Sequence, residues 1–230
     1  MVDTRQAGLL RAMGIAVFQL RERGEPDAVE GVGAAVEGAV AAEGDGQALD
    51  WPQLADKVAT CTLCDLSQTR TQTVFGVGRR DADLMVIGEA PGADEDRQGE
   101  PFVGRAGKLL NAMLRAIGLS REDVYIANIL KCRPPSNRDP KPEEAARCTR
   151  YLERQIELVA PRAILAVGRV AAQHLLQSDQ AIGRLRGQVL SFGADKIPIV
   201  VTYHPAYLLR SPQAKAKAWY DLCLVRGKIK

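Results

Sequence analysis

The spacing of apolar residues changes along this chain. Residues 4–22 place Leu9, Leu10, Met13, Val17 and Leu20 near helical spacing, which predicts a short amphipathic helix over residues 1–22. Residues 23–50 are poor in large apolar side chains and rich in Gly, Ala and acid, the composition of a linker. From Trp51 onward, short apolar runs alternate with helical patterns. Residues 84–87, 124–129, 163–167 and 197–202 read as buried strands, with 189–192 as an extra short one. Helices are predicted at 105–117, stopped by Gly118, at 142–159 with Pro142 in the first turn, at 170–176 and at 213–228. This alternation predicts an α/β domain over residues 51–230, with three layers and a central, mainly parallel four-stranded sheet covered on both faces.

Ligands bind such folds beyond the carboxyl ends of the strands. Three polar motifs fall there: Gly88-Glu89-Ala90-Pro91-Gly92, Asn128 within YIANILKCRPP, and His204 within TYHPAYLLR. The glycines of the first motif let backbone amides approach a ligand, although a plain turn would use them too. Asn128 interrupts an apolar strand and offers one acceptor and two donors in one plane, which suits a pyrimidine edge. His204 precedes Pro205 at a strand end, where it can donate a hydrogen bond or take a proton. The other histidine, His174, lies on a helix and reads as structural. Phe102 stands between Pro101 and Gly104 in an acidic, turn-rich segment and offers a face for stacking a planar ligand. Neither G-x-G-x-x-G nor G-x-x-x-x-G-K-[ST] occurs, which disfavours dinucleotide binding and nucleotide hydrolysis.

Four cysteines bracket the first motif. Cys61 and Cys64 form a C-x-x-C pair; Cys132 and Cys148 are spaced C-x15-C. Four converging thiolates are the donor set of zinc or of an iron–sulfur cluster. A zinc ribbon usually brings two tight pairs and this chain has one, so spacing alone leaves zinc, an iron–sulfur cluster and unliganded thiols open. No redox-partner motif accompanies them, so a metal here would brace the structure. Five cysteines in 230 residues is not the pattern of a disulfide-rich secreted protein, and Cys223 reads as a small buried hydrophobe on the last helix.

The net charge of +3 hides an asymmetry. Seven acidic residues and no Lys or Arg lie between Gly24 and Asp50, leaving +10 on the remainder. A basic body with an acidic tether fits a polyanion-binding domain. The N-terminus lacks the pattern of a signal peptide and no 18-residue apolar stretch occurs, so a cytoplasmic protein acting at the nucleoid is expected.

Together, GEAPGADED, GEPFVGRAG, YIANILKCRPP and TYHPAYLLR, interleaved with the four cysteines, resemble the family 4 uracil-DNA glycosylases, the iron–sulfur members of their superfamily. The resemblance runs from about Trp51 to Lys230. It implies a [4Fe–4S] cluster on Cys61, Cys64, Cys132 and Cys148. It also implies that the backbone at Glu89 and Ala90 faces uracil, that Phe102 stacks on the flipped base, that Asn128 reads its edge and that His204 sits beside O2. Glu95 matches an acidic residue that crowds the thymine methyl. Residues 206–210 match the loop that enters the DNA groove. Many members of the superfamily carry Asp in the first motif where this chain has Glu89 and Ala90, so Glu89, Glu95 and the DNA phosphates all stand as candidates to stabilise the sugar cation. Phosphate contacts are expected from among Arg79, Arg80, Arg105, Lys108, Lys131, Arg133 and Arg210, with Arg105, Lys131, Arg133 and Arg210 foremost. The expected activity is release of uracil from single- or double-stranded DNA by a monomer, with a protein partner for residues 1–22. The alternatives are a relative that traps uracil-DNA covalently, and a non-catalytic iron–sulfur DNA-binding subunit associated with a polymerase. The segment KCRPPSNRDPKPEE has no histidine, unlike the covalent trap.

Overall fold

A computed structural model of the protein describes residues 49–229. The expected helix at 1–22 and the linker up to residue 48 lie outside the described residues. The last two linker positions belong to the folded body. Asp50 caps helix α1 (Trp51–Ala59), accepting from the Gln53 amide at 2.9 Å while its own amide donates to Gln53 Oε1 at 3.0 Å. The Leu49 carbonyl accepts from Arg154 Nε at 2.7 Å.

Four strands form the parallel centre: β2 (Leu84–Gly88), β3 (Tyr125–Asn128), β4 (Ala163–Val167) and β6 (Ile197–Thr202). Two antiparallel edges extend it to six. One is β5 (Val189–Phe192), the extra strand predicted; the other is β1 (Val77–Gly78), which the sequence did not signal. The order is β1-β3-β2-β4-β6-β5. Every residue of β2, β3 and β4 is buried, as expected of parallel strands covered on both sides. Met85 and Ile87 point to one face, beneath α5 (Pro142–Val159), α6 (Arg169–Leu175) and α7 (Ile182–Leu185); Leu84 and Val86 point to the other, beneath α4 (Arg105–Ala116), α8 (Pro205–Arg210) and α9 (Lys215–Arg226). This gives the three layers predicted. Two further short helices, α2 (Leu66–Thr69) and α3 (Ala93–Gln98), lie in the loops before β1 and after β2.

The β2–β3 pairing does not stop where the strands do. The amides of Ile129 and Leu130 donate to the carbonyls of Gly88 and Glu89, each at 3.0 Å. The first motif and the Asn128 turn therefore share one continuous ladder. Among the described residues no helix is long and apolar enough to cross a membrane.

Candidate active site

A cleft of about 480 Å³ opens at the carboxyl ends of the parallel strands. Its wall contains Glu89, Ala90, Glu95, Phe102, Asn128 and His204, all the residues predicted to meet the base. Gly88 ends β2 and leads into the first motif, Asn128 ends β3, and His204 follows β6 as the N-cap of α8.

Asn128 is 2% exposed, and its Oδ1 is buried with no hydrogen-bond partner. A buried polar atom left unpaired costs stability, so its retention in a cleft signals a ligand partner. Gly88 makes room for it: a Cβ there would lie 2.4 Å from Asn128 Oδ1 and 2.7 Å from Phe102 Cζ. Gly88→Ala should therefore displace both side chains. A fall of at least about a hundredfold in turnover is expected, on the scale of one lost catalytic hydrogen bond, without loss of the fold. Wild-type turnover in that variant would show that the cleft tolerates the shift.

Phe102 is 6% exposed and belongs to the core beneath α4, while its ring faces the cleft beside His204, with centroids 5.7 Å apart and planes at 31°. Its backbone is left-handed at φ 55°, which for a bulky residue costs about 1–3 kcal/mol and must be imposed by the surroundings. Three contacts impose it. Arg121 donates to the carbonyls of Pro101 and Phe102. Glu95 Oε1 accepts from the amides of Val103 (3.2 Å) and Gly104 (3.4 Å), while Oε2 accepts from Gly92 (3.0 Å). Gly107 packs its backbone against the turn, where a Cβ would meet the Phe102 carbonyl oxygen at 1.7 Å. Glu95 thus fastens the first motif to the Phe102 loop. Its carboxylate is already committed to three amides, which makes it a poor candidate to stabilise a sugar cation. Arg121 and Gly107 were not foreseen as site residues, although a glycine inside a helical pattern is itself a packing signal.

His204 Nδ1 accepts from the Ala206 amide at 3.2 Å. Burial pushes its pKa down to about 4, helped by Arg210 and opposed by Glu95. The ring is therefore neutral at pH 7, and since Nδ1 is an acceptor, the proton sits on Nε2. Glu89 is shifted the other way: burial, reinforced by Asp139 and opposed by Arg169, raises its pKa to about 7.

The four cysteines also come together. Cys61 and Cys64 from the turn after α1, Cys132 after β3 and Cys148 on α5 line one cavity with three cations, Arg70, Lys131 and Arg147, and no carboxylate. Arg70 donates to Cys132 Sγ at 3.0 Å and the Lys131 amide to Cys148 Sγ at 3.3 Å. Among the described residues no three His, Cys, Asp or Glu side chains are grouped to hold a single metal ion. Four thiols are a donor set that would fit an iron–sulfur cluster, which these cysteines would hold. An electropositive cavity suits its anionic charge. Ala90 of the first motif packs against this centre, in one cluster with Leu66, Leu130, Cys64, Cys132 and Cys148.

Some expectations fail. Lys131 is 1% exposed and cannot reach a phosphate; its ammonium is consumed inside the protein. Arg79 lies by the amino ends of the strands, its amide bonded to Val124 and its side chain paired with Asp81, far from the cleft mouth. Cys223 is exposed rather than buried. Arg105 and Arg210 are exposed, Arg133 is half-buried with its Nε donating to Asn137, and Arg210 lines the cleft. His174 is structural as expected, its Nε2 bonded to the Thr149 hydroxyl at 2.7 Å. Asn137, Arg138 and Asp139 also line the cleft, with no motif to announce them, as does Tyr207 of the TYHPAYLLR motif, whose segment 206–210 forms helix α8 rather than a loop.

The profile of the uracil DNA glycosylase superfamily matches residues 75–224. The chain belongs to this superfamily. The type-4 uracil-DNA glycosylase of Archaeoglobus fulgidus is 48% identical over 165 residues, covering 69% of this chain and 83% of that protein. Those of Thermotoga maritima and Saccharolobus solfataricus are 44% identical over 159 residues and 45% over 166. Each alignment again covers 69% of this chain, with 82% and 77% of the respective relatives. As a uracil DNA glycosylase superfamily member, the chain carries its cleft residues, from Glu89 to Arg210, inside the matched span, whereas Cys61 and Cys64 precede it.

Proposed function

We propose that the protein is a uracil-DNA glycosylase that hydrolyses the N-glycosidic bond of deoxyuridine in DNA, releasing uracil and leaving an abasic site, and that Cys61, Cys64, Cys132 and Cys148 hold a [4Fe–4S] cluster. The observation that carries the first part is the convergence of Phe102, unpartnered Asn128 and neutral His204 on one cleft. The type-4 relatives support it. The three-cation, four-thiol cavity supports the second part.

The target base must leave the stack, at a cost of a few kcal/mol. Stacking on Phe102 returns about 1–3 kcal/mol of that. Asn128 Oδ1 accepts from uracil N3–H and its amide group donates to O4, which pairs the orphaned oxygen. As the C1′–N1 bond breaks, its electrons pass to the base and negative charge gathers on O2. His204 Nε2–H meets that charge as a donor. A neutral imidazole suits this task, because its hydrogen bond strengthens as charge develops without a proton having to move. Water adds to C1′ of the sugar cation, and ionised Glu89 takes its proton. The cluster, when bound, supplies bracing and charge; no redox step enters the reaction.

Incubation with oligonucleotides carrying a single uracil or a single thymine tests the reading. Free uracil and an alkali-labile site should appear only with the first. Absence of both rejects the activity. A colourless protein without iron and acid-labile sulfide rejects the cluster and leaves the activity standing.

A further inference from the structure

The largest fully buried side chain among the described residues is a lysine, Lys131. Its Nζ donates to the Asn128 carbonyl at 2.8 Å and to Gln155 Oε1 at 2.6 Å. Both acceptors are uncharged, and no carboxylate lines the cavity that Lys131 shares with the four cysteines. A buried ammonium needs a compensating anion. Cys132 follows Lys131 in the chain and Cys148 Sγ accepts from the Lys131 amide at 3.3 Å, so an anionic group held by those cysteines would lie beside it.

The same residue is tied outward. Its carbonyl accepts from the Val74 amide at 2.7 Å, and Gln155 Nε2 donates to the Phe75 carbonyl at 2.9 Å and the Tyr125 hydroxyl at 3.1 Å. Lys131 therefore touches the cysteine cavity with one end of its environment and the backbone of the base-reading residue with the other. The turn between them, residues 128–131, is itself laddered onto Gly88 and Glu89.

We propose that Lys131 is a positioning residue that couples the cysteine-bound group to Asn128, so that filling the base pocket steadies the metal centre and the metal centre holds the end of β3 in its base-reading orientation. This rests on the glycosylase and cluster readings above. The steadying of the metal centre can be read as a rate of iron loss, without following catalysis.

The experiment follows iron loss from the full-length holoprotein to a colorimetric chelator, with and without saturating free uracil. Wild type, Lys131→Met and Gln155→Leu are compared. Met keeps the length of the buried stem and removes only the ammonium. In the wild type, uracil should slow iron loss by about fivefold or more, the lower end of ordinary coupling. In Lys131→Met the uracil and uracil-free rates should coincide, whatever their absolute value. Gln155→Leu, which leaves the ammonium one partner short, should show a reduced ratio. A merely structural lysine would change both rates together and preserve their ratio; an unchanged ratio in Lys131→Met overturns the proposal, as does a wild type indifferent to uracil. Should Lys131→Met fail to retain iron, the ratio in Gln155→Leu decides alone. A wild type that releases uracil from DNA but holds no iron overturns the proposal together with the cluster and spares the glycosylase. A wild type that holds iron but cuts no uracil-DNA removes the base-pocket reading, and the proposal with it.

Discussion

Asn128→Ala lowers kcat/KM for uracil release by about a thousandfold, because a preorganised hydrogen-bonding group at a reacting base is worth on the order of 10²–10³ and this one serves two positions on the ring. The protein should lose nothing in stability. Asn128 Oδ1 has no partner in the free protein, so its deletion strands no donor elsewhere, and a buried unsatisfied acceptor disappears. The variant should therefore melt at or above the wild-type temperature while turnover collapses, the sign of a residue retained for function at the expense of the fold. Steady-state kinetics with a uracil oligonucleotide and a thermal melt check both halves. A loss below about tenfold, or a large drop in melting temperature, would place Asn128 in the framework instead.

His204→Ala should cost about a hundredfold or more in kcat, and the pH profile should show why. The wild-type histidine is depressed to a pKa of about 4, so it stays neutral throughout pH 5–9 and contributes no inflection there. Glu89, raised to about 7, supplies the rising limb: activity should climb as the carboxylate ionises, and Glu89→Gln should flatten that climb. The two groups affect stability with opposite pH dependence. The unfolded chain protonates His204 from its ordinary value of 6.5 downward whereas the folded chain waits until about 4, so this contribution is intact above pH 6.5 and is lost as pH falls toward 4. Glu89 ionises at 4.5 in the unfolded chain and about 7 in the folded one, so its contribution is intact below pH 4.5 and is lost as pH rises through 7. An activity limb near pH 6.5 that survives in Glu89→Gln and vanishes in His204→Ala would reverse the assignment.

Much of this was legible in the sequence because parallel strands buried on both faces leave uninterrupted apolar runs. Residues 84–87 and 163–167 could be read that way directly, and polar residues at their ends had only one place to go. Short elements were lost. β1 pairs only Val77 and Gly78 and has no room for a period. Helix α3 is six residues with three acids in its first turn, so it looked like a loop; those acids are the favourable charges at a helix N-terminus. Lys131 misled for a plainer reason. A lysine in a polar motif of a basic protein reads as a phosphate contact, and nothing local reveals that the chain turns it inward onto the Asn128 carbonyl and Gln155. Arg121 was invisible for a related reason: it holds Phe102 by its carbonyl, across nineteen residues of sequence, and backbone acceptors leave no trace in side-chain patterns.

The ladder that continues from β2 and β3 through Ile129 and Leu130 has a kinetic consequence. The Glu89 and Asn128 walls of the cleft hang from this one hydrogen-bonded frame, so they should move as one when a target arrives. Adaptation is left to the nucleic acid. Capture should then be limited by how readily the helix releases a nucleotide, and uracil that is mispaired or already unpaired should be excised first.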